Sequence, residues 1–194
     1  MHIDRSVQAA LRVLIVLIMF FRMDSPTPFD SNAPAGSKRA IVRYNPDNSA
    51  ELEMVEATWG SNPRFSDGAS YRFVRSEGKS FPSHRCLMPA TEFQMSVKDR
   101  CYRVRLDDGN FFYLAGVWEP PMADYPLAFR IVTVAANAEV SRFQDRHGAI
   151  ILRRQVMRWL DRSVPETELL GTPPARLFVI DEITSGPRQP AFVL

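Results

Sequence analysis

Several arginines of this chain lie near aromatic residues, and these two residue types together can bind single-stranded nucleic acid. A guanidinium group binds phosphate oxygens, and an aromatic ring stacks on a base. The arginines are Arg72, Arg75, Arg85, Arg100, Arg103 and Arg105, and the aromatic residues are Trp59, Tyr71 and Phe73. Arginines that alternate along a hairpin are also typical of its solvent-exposed face. The sequence leaves both interpretations open.

Metal and disulfide chemistry is not indicated. The chain has two cysteines, Cys86 and Cys101, which form no CxxC pair, and only three histidines. A structural zinc site needs four such ligands at short spacings. We therefore expect no metal and no cofactor. Both cysteines are expected to be buried, reduced thiols of a cytoplasmic protein.

The composition is that of an ordinary globular protein. The chain has 194 residues, of which 45% are hydrophobic and 24% are charged, enough for one domain with a sizeable core. The net charge is +2 and the pI is about 8.7. This mild excess of basic residues permits nucleic-acid binding without requiring it, because only a clustered basic surface would argue for it.

An apolar run, residues 13–21, follows Arg5 and Arg12 near the N-terminus. It is shorter than the roughly 20 residues that span a bilayer, so we expect no stable membrane partner. It has the length of the apolar part of a signal peptide, but Arg22 and Asp24 replace the small residues of a cleavage site. For residues 1–23 three interpretations stay open: a signal or anchor, a helix packed on the domain, or upstream sequence before a start at Met23.

Short strands dominate the rest of the chain. Alternating and apolar patterns predict strands at 40–44, 52–59, 102–106, 110–117, 128–134 and 150–152. The turn Asp108-Gly109 predicts that the third and fourth of these pair as a hairpin. A short helix is expected at 155–160 with Val156, Trp159 and Leu160 on one face, and a second helical turn is expected after Pro165.

This pattern predicts an α+β fold with a β-rich core and a few short helices. The core is expected to be either barrel-like or an open mixed or antiparallel sheet. We place the domain at residues 24–170 and interpret 171–194 as a proline-containing connector and tail. A monomer is expected.

An ordered set of motifs runs through two thirds of the chain, from Asn32 to Leu160. Its strongest member is Ser83–Ala90, SHRCLMPA. The others are Asn32-Ala33-Pro34, Trp59-Gly60, Arg75-Ser76-Glu77, 112–119, Thr133 with Asn137, and Asp145-Arg146. In order and spacing this set resembles the SOS-response-associated peptidase (SRAP) family, whose members capture abasic sites in single-stranded DNA. The resemblance implies DNA contacts at Asn32, Trp59, Arg75, Thr133 and Arg146, with Trp59 as an exposed stacking residue and Arg75 on phosphate.

The family's chemistry uses a cysteine as the second residue. Its α-amine forms an imine with the ring-opened sugar of an abasic site, and its thiol then closes a thiazolidine. A Glu that follows the Arg-Cys-Leu segment and a His before Asp-Arg are implied to move protons in these steps.

This chain departs from that pattern at each of those positions. His2 is the second residue, and Asp24 would follow a start at Met23. The position of the Glu holds Met95, which has no proton to transfer. The position of the His holds Gln144, which does not titrate. A further departure concerns the family's Asn-Ala-Arg-Ser/Ala-Glu motif, whose end matches Arg75-Ser76-Glu77 and whose Arg is implied to bind phosphate. Its opening asparagine is replaced here by Phe73.

A replacement pair lies nearby in sequence. Glu92 precedes Met95 by three residues, and His147 follows Gln144 by three. An odd offset along a strand turns a side chain to the opposite face, which argues against Glu92. We therefore expect Met95 and Gln144 to face each other beside Arg146 and Thr133, with Glu92 near solvent.

Taken together, the sequence predicts a DNA-damage-associated, SRAP-like protein that binds single-stranded or abasic-site DNA without the covalent thiazolidine crosslink. The alternative is an active abasic-site crosslinking or peptidase-like enzyme. It would use a nucleophile other than cysteine, together with Glu92 and His147.

Overall fold

The structure is a computed structural model that describes residues 26–65 and 70–183. Residues 1–23, for which three interpretations are open, therefore lie outside the described residues. The strands are β1 Thr27–Asp30, β2 Lys38–Tyr44, β3 Leu52–Trp59, β4 Phe73–Arg75, β5 Arg85–Val97, β6 Arg100–Leu106, β7 Phe112–Glu119, β8 Ala128–Ala135, β9 Arg146–Gly148, β10 Ile150–Ile151 and β11 Phe178–Ile183. The α-helices are α1 Val156–Leu160 and α2 Glu166–Leu169.

The described strands form one mixed sheet of eleven strands, which confirms the β-rich α+β class. Most neighbours are antiparallel, while β1 with β5, β3 with β8 and β4 with β8 are parallel. The strands β3 and β8 meet over only two residue pairs. The pairings β5–β7–β8–β3–β2–β5 form a ring, but because the contact between β3 and β8 is so short the sheet is not a clear closed barrel.

The thirteen-residue strand β5 organises the sheet. Along one edge it pairs first with β2 and then with β1, and along the other edge it pairs first with β7 and then with β6. Pro89, which has no backbone N–H, lies between the β2-paired and β1-paired segments of its edge. The missing donor therefore falls where that edge changes partner.

The predicted hairpin between 102–106 and 110–117 is wrong. A tight turn does form, with the Gly109 N–H donating to the Leu106 carbonyl at 3.1 Å. Beyond it, β6 and β7 both run antiparallel to β5, one along each half of that strand. The turn therefore joins two segments that follow one another along β5, because the long strand offers both of them a partner.

The core is formed on both faces of the sheet by aliphatic and aromatic residues. One cluster contains Phe29, Ile41, Trp59, Phe93 and Phe129. The other contains Leu87, Tyr113 and Ile151, on which α1 packs through Val156, Trp159 and Leu160. The predicted helix and its buried face are thus confirmed, and so is the second helical turn after Pro165.

The range 171–194, expected to be a connector and tail, contains the strand β11. The strand β11 pairs with β6 over six consecutive residues. Its Asp181 accepts hydrogen bonds from Arg103 at 3.3 Å and Arg105 at 2.8 Å, and Glu182 contacts Arg100 at 3.2 Å. These three arginines therefore hold a neighbouring strand, which explains the alternating basic pattern without a phosphate.

The buried guanidinium of Arg85 ties both helices to the start of β5. It donates to the carbonyls of Phe81 at 2.7 Å and Trp159 at 2.9 Å, and to the Glu166 carboxylate at 2.6 Å. It also lies over the Trp159 ring, 4.5 Å from its centroid. All three donor atoms are engaged, so this arginine is structural.

We expect Arg85→Leu to lower the free energy of unfolding by about 3 kcal/mol, because it leaves two buried carbonyls and one carboxylate without their donor. Urea denaturation followed by circular dichroism would measure this. The matched control is Arg158→Leu, which breaks the exposed pair between Arg158 on α1 and Glu168 on α2 and should cost less than about 1 kcal/mol. Equal losses in the two variants would contradict a structural role for Arg85.

Candidate functional site

A cavity of about 330 Å³ lies where β1, β4, β5, β8 and β9 come together. Its lining residues are Phe29, Ser31, Phe73, Arg75, Phe93, Thr133, Gln144, Arg146, His147 and Gly148. Three of the five residues for which the resemblance implies DNA contact, Arg75, Thr133 and Arg146, thus line one cavity. Gln144, at the position of the family's His, lines it with them.

The register of β8 explains why the cations meet here. Thr133 stands opposite Arg75 on β4 and opposite Gly148 on β9, while Arg146 stands opposite Ala135. Phe73 and Arg75 are both exposed with buried Val74 between them, so they share the face of β4 that borders the cavity.

Arg146 is held firmly. Its Nε donates to the Thr133 hydroxyl at 3.1 Å, and one terminal nitrogen donates to the Thr133 carbonyl at 2.7 Å. Both terminal nitrogens reach the Glu77 carboxylate, at 2.9 and 2.8 Å. The hydrogen bond from Arg146 lowers the pKa of Glu77, so this carboxylate stays ionised at neutral pH. Arg146 is therefore fixed at the cavity with an exposed anion beside it.

Arg75 is the less constrained of the two cations. It is exposed, and its side chain donates no hydrogen bond within residues 26–65 and 70–183. By contrast, Arg72 donates to the Ala33 carbonyl at 2.5 Å and lies over the Trp59 ring. Of the six arginines singled out in the sequence, only Arg75 borders the cavity.

The expectation of an exposed stacking indole at Trp59 is wrong. Its side chain is 0% exposed, and its Nε1 donates to the Arg72 carbonyl at 3.1 Å. The rings of Phe29 and Phe73 meet it edge-on, with centroids at 5.0 and 5.3 Å. Trp59 therefore supports the cavity wall from behind, while Phe73, 36% exposed, presents an aromatic face at the mouth.

Asn32 lies near the cavity in the chain but does not line it. It is exposed, and its Nδ2 donates to the Ser96 hydroxyl at 3.1 Å. The neighbouring Ser31 does line the cavity, and its hydroxyl donates to the Gln94 carbonyl at 2.6 Å. A direct role of Asn32 in DNA contact stays a prediction.

His147 lies in the cavity wall and is 3% exposed. Its ring stacks on Phe93, with centroids 5.6 Å apart and planes 19° from parallel, and meets Phe178 edge-on. Its Nδ1 lies 2.8 Å from the Gly148 carbonyl, so Nδ1 carries the proton, and the buried Nε2 has no hydrogen-bond partner among the described residues. Burial lowers the pKa of His147, and the ring is therefore neutral at physiological pH.

Glu92 and His147 do not form a pair in this cavity. Glu92 is half-buried, accepts a hydrogen bond from Gln94 at 2.8 Å and does not line the cavity. The expectation that Met95 would face Gln144 is wrong in its first half. Met95 is 1% exposed, packs in the apolar core and is not a lining residue.

Neither thiol is placed for chemistry in the cavity. Cys86 is fully buried, and burial raises the pKa of its thiol far above the ordinary value. Cys101 is half-buried beside Ser96.

Within the described residues no three His, Cys, Asp or Glu side chains are grouped closely enough to hold a metal ion. In the same part of the chain no helix has the length and apolar character needed to cross a membrane.

A profile of the SOS response associated peptidase (SRAP) family matches residues 21–184. The chain belongs to this family. No curated protein shows a significant sequence match to it.

Three crystal structures have a similar fold. One is a protein from Bacteroides thetaiotaomicron (TM-score 0.57, 17% identity, covering 77% of this chain and 75% of that one). Two come from Bordetella bronchiseptica: one protein with TM-score 0.60, 18% identity and coverage of 81% and 90%, and a phage-related protein with TM-score 0.59, 19% identity and coverage of 80% and 80%. At these identities the likeness concerns the SRAP fold alone.

The aromatic lining was largely missed by reasoning from the sequence. The sequence shows only that Phe29 and Phe93 are apolar. Nothing in the neighbouring residues indicates that β1 pairs with β5 and brings these two side chains together. His147 was noticed only for its distance from Gln144. Its alternation with Arg146 on β9 would have placed it on the buried face of that strand, as the burial pattern shows.

The pH dependence of stability should reveal the buried histidine. The ordinary pKa of histidine is about 6.5, and the pKa of folded His147 lies lower, so the unfolded chain binds a proton more readily. Its stabilising contribution is complete above about pH 6.5 and is lost as pH falls from there towards the folded pKa. We expect the free energy of unfolding of His147→Phe, measured by urea denaturation, to depend less on pH between about pH 7 and pH 5. An unchanged slope would contradict the burial of a neutral imidazole.

Proposed function

We propose that this SRAP-family protein acts in the response to DNA damage by binding single-stranded or abasic-site DNA non-covalently. The observation that carries the proposal is the position of Arg75 and Arg146. They lie on β4 and β9, the two strands that flank Thr133, and both line one cavity with aromatic walls. Arg75 is open to solvent and donates no hydrogen bond within the described residues. A polyanion that binds it would therefore gain a charge-assisted contact without breaking an existing hydrogen bond.

The chemical character of the cavity supports binding over covalent capture. The lining residues that the described part of the chain supplies include no Cys, Lys, Asp or Glu. An imine needs an amine, a thiazolidine also needs a thiol, and ring opening of the sugar needs a group that transfers protons. Among the lining side chains only His147 titrates in the accessible pH range, and it is buried.

The alternative, an active enzyme that uses Glu92 with His147, receives less support. The two side chains do not reach a common point in the cavity, because Glu92 faces Gln94 instead. A general acid and a general base must both come within about 2.6–3.2 Å of the reacting atoms.

Single-stranded DNA binding should depend on the two cavity arginines. We expect Arg75→Ala and Arg146→Ala each to weaken binding about equally for all sequences. Each variant should also lower the slope of log affinity against log salt by about 0.7–1, the value for one lost phosphate contact. Fluorescence anisotropy with a labelled oligonucleotide at several salt concentrations measures both quantities.

The matched control is Arg158→Ala, because Arg158 is also paired with a carboxylate but lies on α1 and does not line the cavity. It should leave affinity and slope unchanged. Full affinity in a folded Arg75→Ala, Arg146→Ala double variant would refute the proposal.

No stable crosslink to abasic DNA is expected. Cys86 is inaccessible, and neither described cysteine lines the cavity. Incubation with an abasic oligonucleotide, followed by denaturing electrophoresis, should show no heat-stable shifted band. The same incubation with borohydride would trap an imine if an amine reacted. A heat-stable band, or an adduct trapped by borohydride, would favour the enzymatic alternative.

A further inference from the structure

The walls of the cavity are suited to a planar aromatic ligand. Phe29, Phe73 and Phe93 all line it, and the imidazole of His147 stacks on Phe93. Phe73 is held at the mouth by its edge-on contact with Trp59 and remains 36% exposed. Phe29, Phe93 and His147 are each only 3% exposed, so they form apolar walls, and Phe73 is the exposed ring on which a base of any identity can stack.

Among the polar side chains of the lining, Gln144 is the one suited to the edge of a base. The side-chain amide of Gln144 makes no hydrogen bond within the described segments 26–65 and 70–183, although it lines the cavity. An amide offers a donor and an acceptor side by side, which matches the adjacent donor and acceptor groups along a base edge. The Thr133 hydroxyl, by contrast, is already engaged by Arg146 and by the Val74 carbonyl.

A bare abasic sugar matches this environment poorly. It offers hydroxyl groups and, when open, an aldehyde, but no aromatic face. Its hydroxyl groups would lose hydrogen bonds to water against the phenylalanine rings, which provide no replacement. A nucleobase would instead cover those rings. The volume of about 330 Å³ is at the lower end of the range for small-molecule sites, about 300–1,000 Å³.

We infer that the cavity binds one unpaired, intact nucleobase of single-stranded DNA and does not bind the base-free sugar of an abasic site. The ring packs on the phenylalanines, Gln144 contacts the base edge, and Arg75 and Arg146 bind the flanking phosphates. This inference rests on the proposed single-stranded DNA binding and specifies which part of the strand enters the site.

The test compares three labelled oligonucleotides of equal length by fluorescence anisotropy. The first has a base at every position, the second has a tetrahydrofuran abasic analogue at every position, and the third is abasic except for one central base. All three carry the same phosphates. We expect the single base to restore affinity by roughly 5- to 150-fold over the fully abasic strand, the range that corresponds to one stacked base.

Two variants assign that gain to the cavity. Phe73→Ala and Gln144→Leu should each remove much of the gain from the single base while leaving binding of the fully abasic strand unchanged. The control is Met122→Ala, because Met122 is exposed to a similar extent (40%) but does not line the cavity. Gln144→Leu keeps the size of the side chain, so it tests the inference even if Phe73→Ala destabilises the fold.

The outcomes separate the two proposals. Salt-dependent binding with equal affinity for all three strands, or with preference for the abasic strand, would overturn the nucleobase inference and leave the proposed function standing. A gain from the base that persists in both cavity variants would also overturn the inference, since the base would then stack elsewhere. Failure to bind any of the strands would overturn both.

Discussion

The backbone pairing of β5 is the constraint on which the rest of the structure depends. Four strands hydrogen-bond to its two edges, and both edges change partner near Pro89 and Ala90. Since side chains alternate along a strand, this register decides which residues of β5 face each core. At one end it places Arg85 against the two helices, and at the other it places Phe93 in the cavity wall. A one-residue slip would lose both contacts.

The cavity forms beside β8, which pairs with parallel strands and with antiparallel strands. Thr133 is flanked by the parallel strand β4 and the antiparallel strand β9, so residues that are distant in sequence bring Arg75 and Arg146 to one point. Glu77 then binds Arg146 through both terminal nitrogens. This pair fixes the guanidinium before any ligand arrives, while the exposed Arg75 supplies the open cation. The cavity therefore carries one oriented arginine and one exposed, less constrained arginine.

The local sequence pattern was sufficient to predict where many of the strands and a helix lie. It was not sufficient to predict which strands pair with each other. Strands β2, β3 and β8 and helix α1 were predictable because alternation and apolar spacing are properties of neighbouring residues. The hairpin at Asp108-Gly109 failed because a long third strand competed for both arms. The pairing of β11 was hidden by flanking prolines, and Trp59 was assigned to the surface by resemblance. At the site, Thr133, Gln144 and Arg146 line one cavity as expected. Met95 does not, since it lies two residues beyond Phe93 on the same face of β5 and packs in the apolar core, and Glu92 bonds to Gln94.

The cavity keeps the arginines that the resemblance implies but lacks the family's proton-transferring Glu and His, and this difference has a physical cause. Phosphate binding needs only a positive charge in the right place. The backbone register around Thr133 brings Arg75 and Arg146 to one point, and the side chains of Thr133 and Glu77 orient Arg146. Proton transfer needs a titratable atom within hydrogen-bonding distance of the reacting centre, so one substitution abolishes it. At Phe73 and Gln144, the residues replacing those of the family pattern are an aromatic ring and a neutral amide. Neither of these side chains can transfer a proton, whereas the ring offers apolar contact and the amide offers hydrogen bonds. These properties at the cavity are the reason why we propose non-covalent binding, and not covalent capture, at this site.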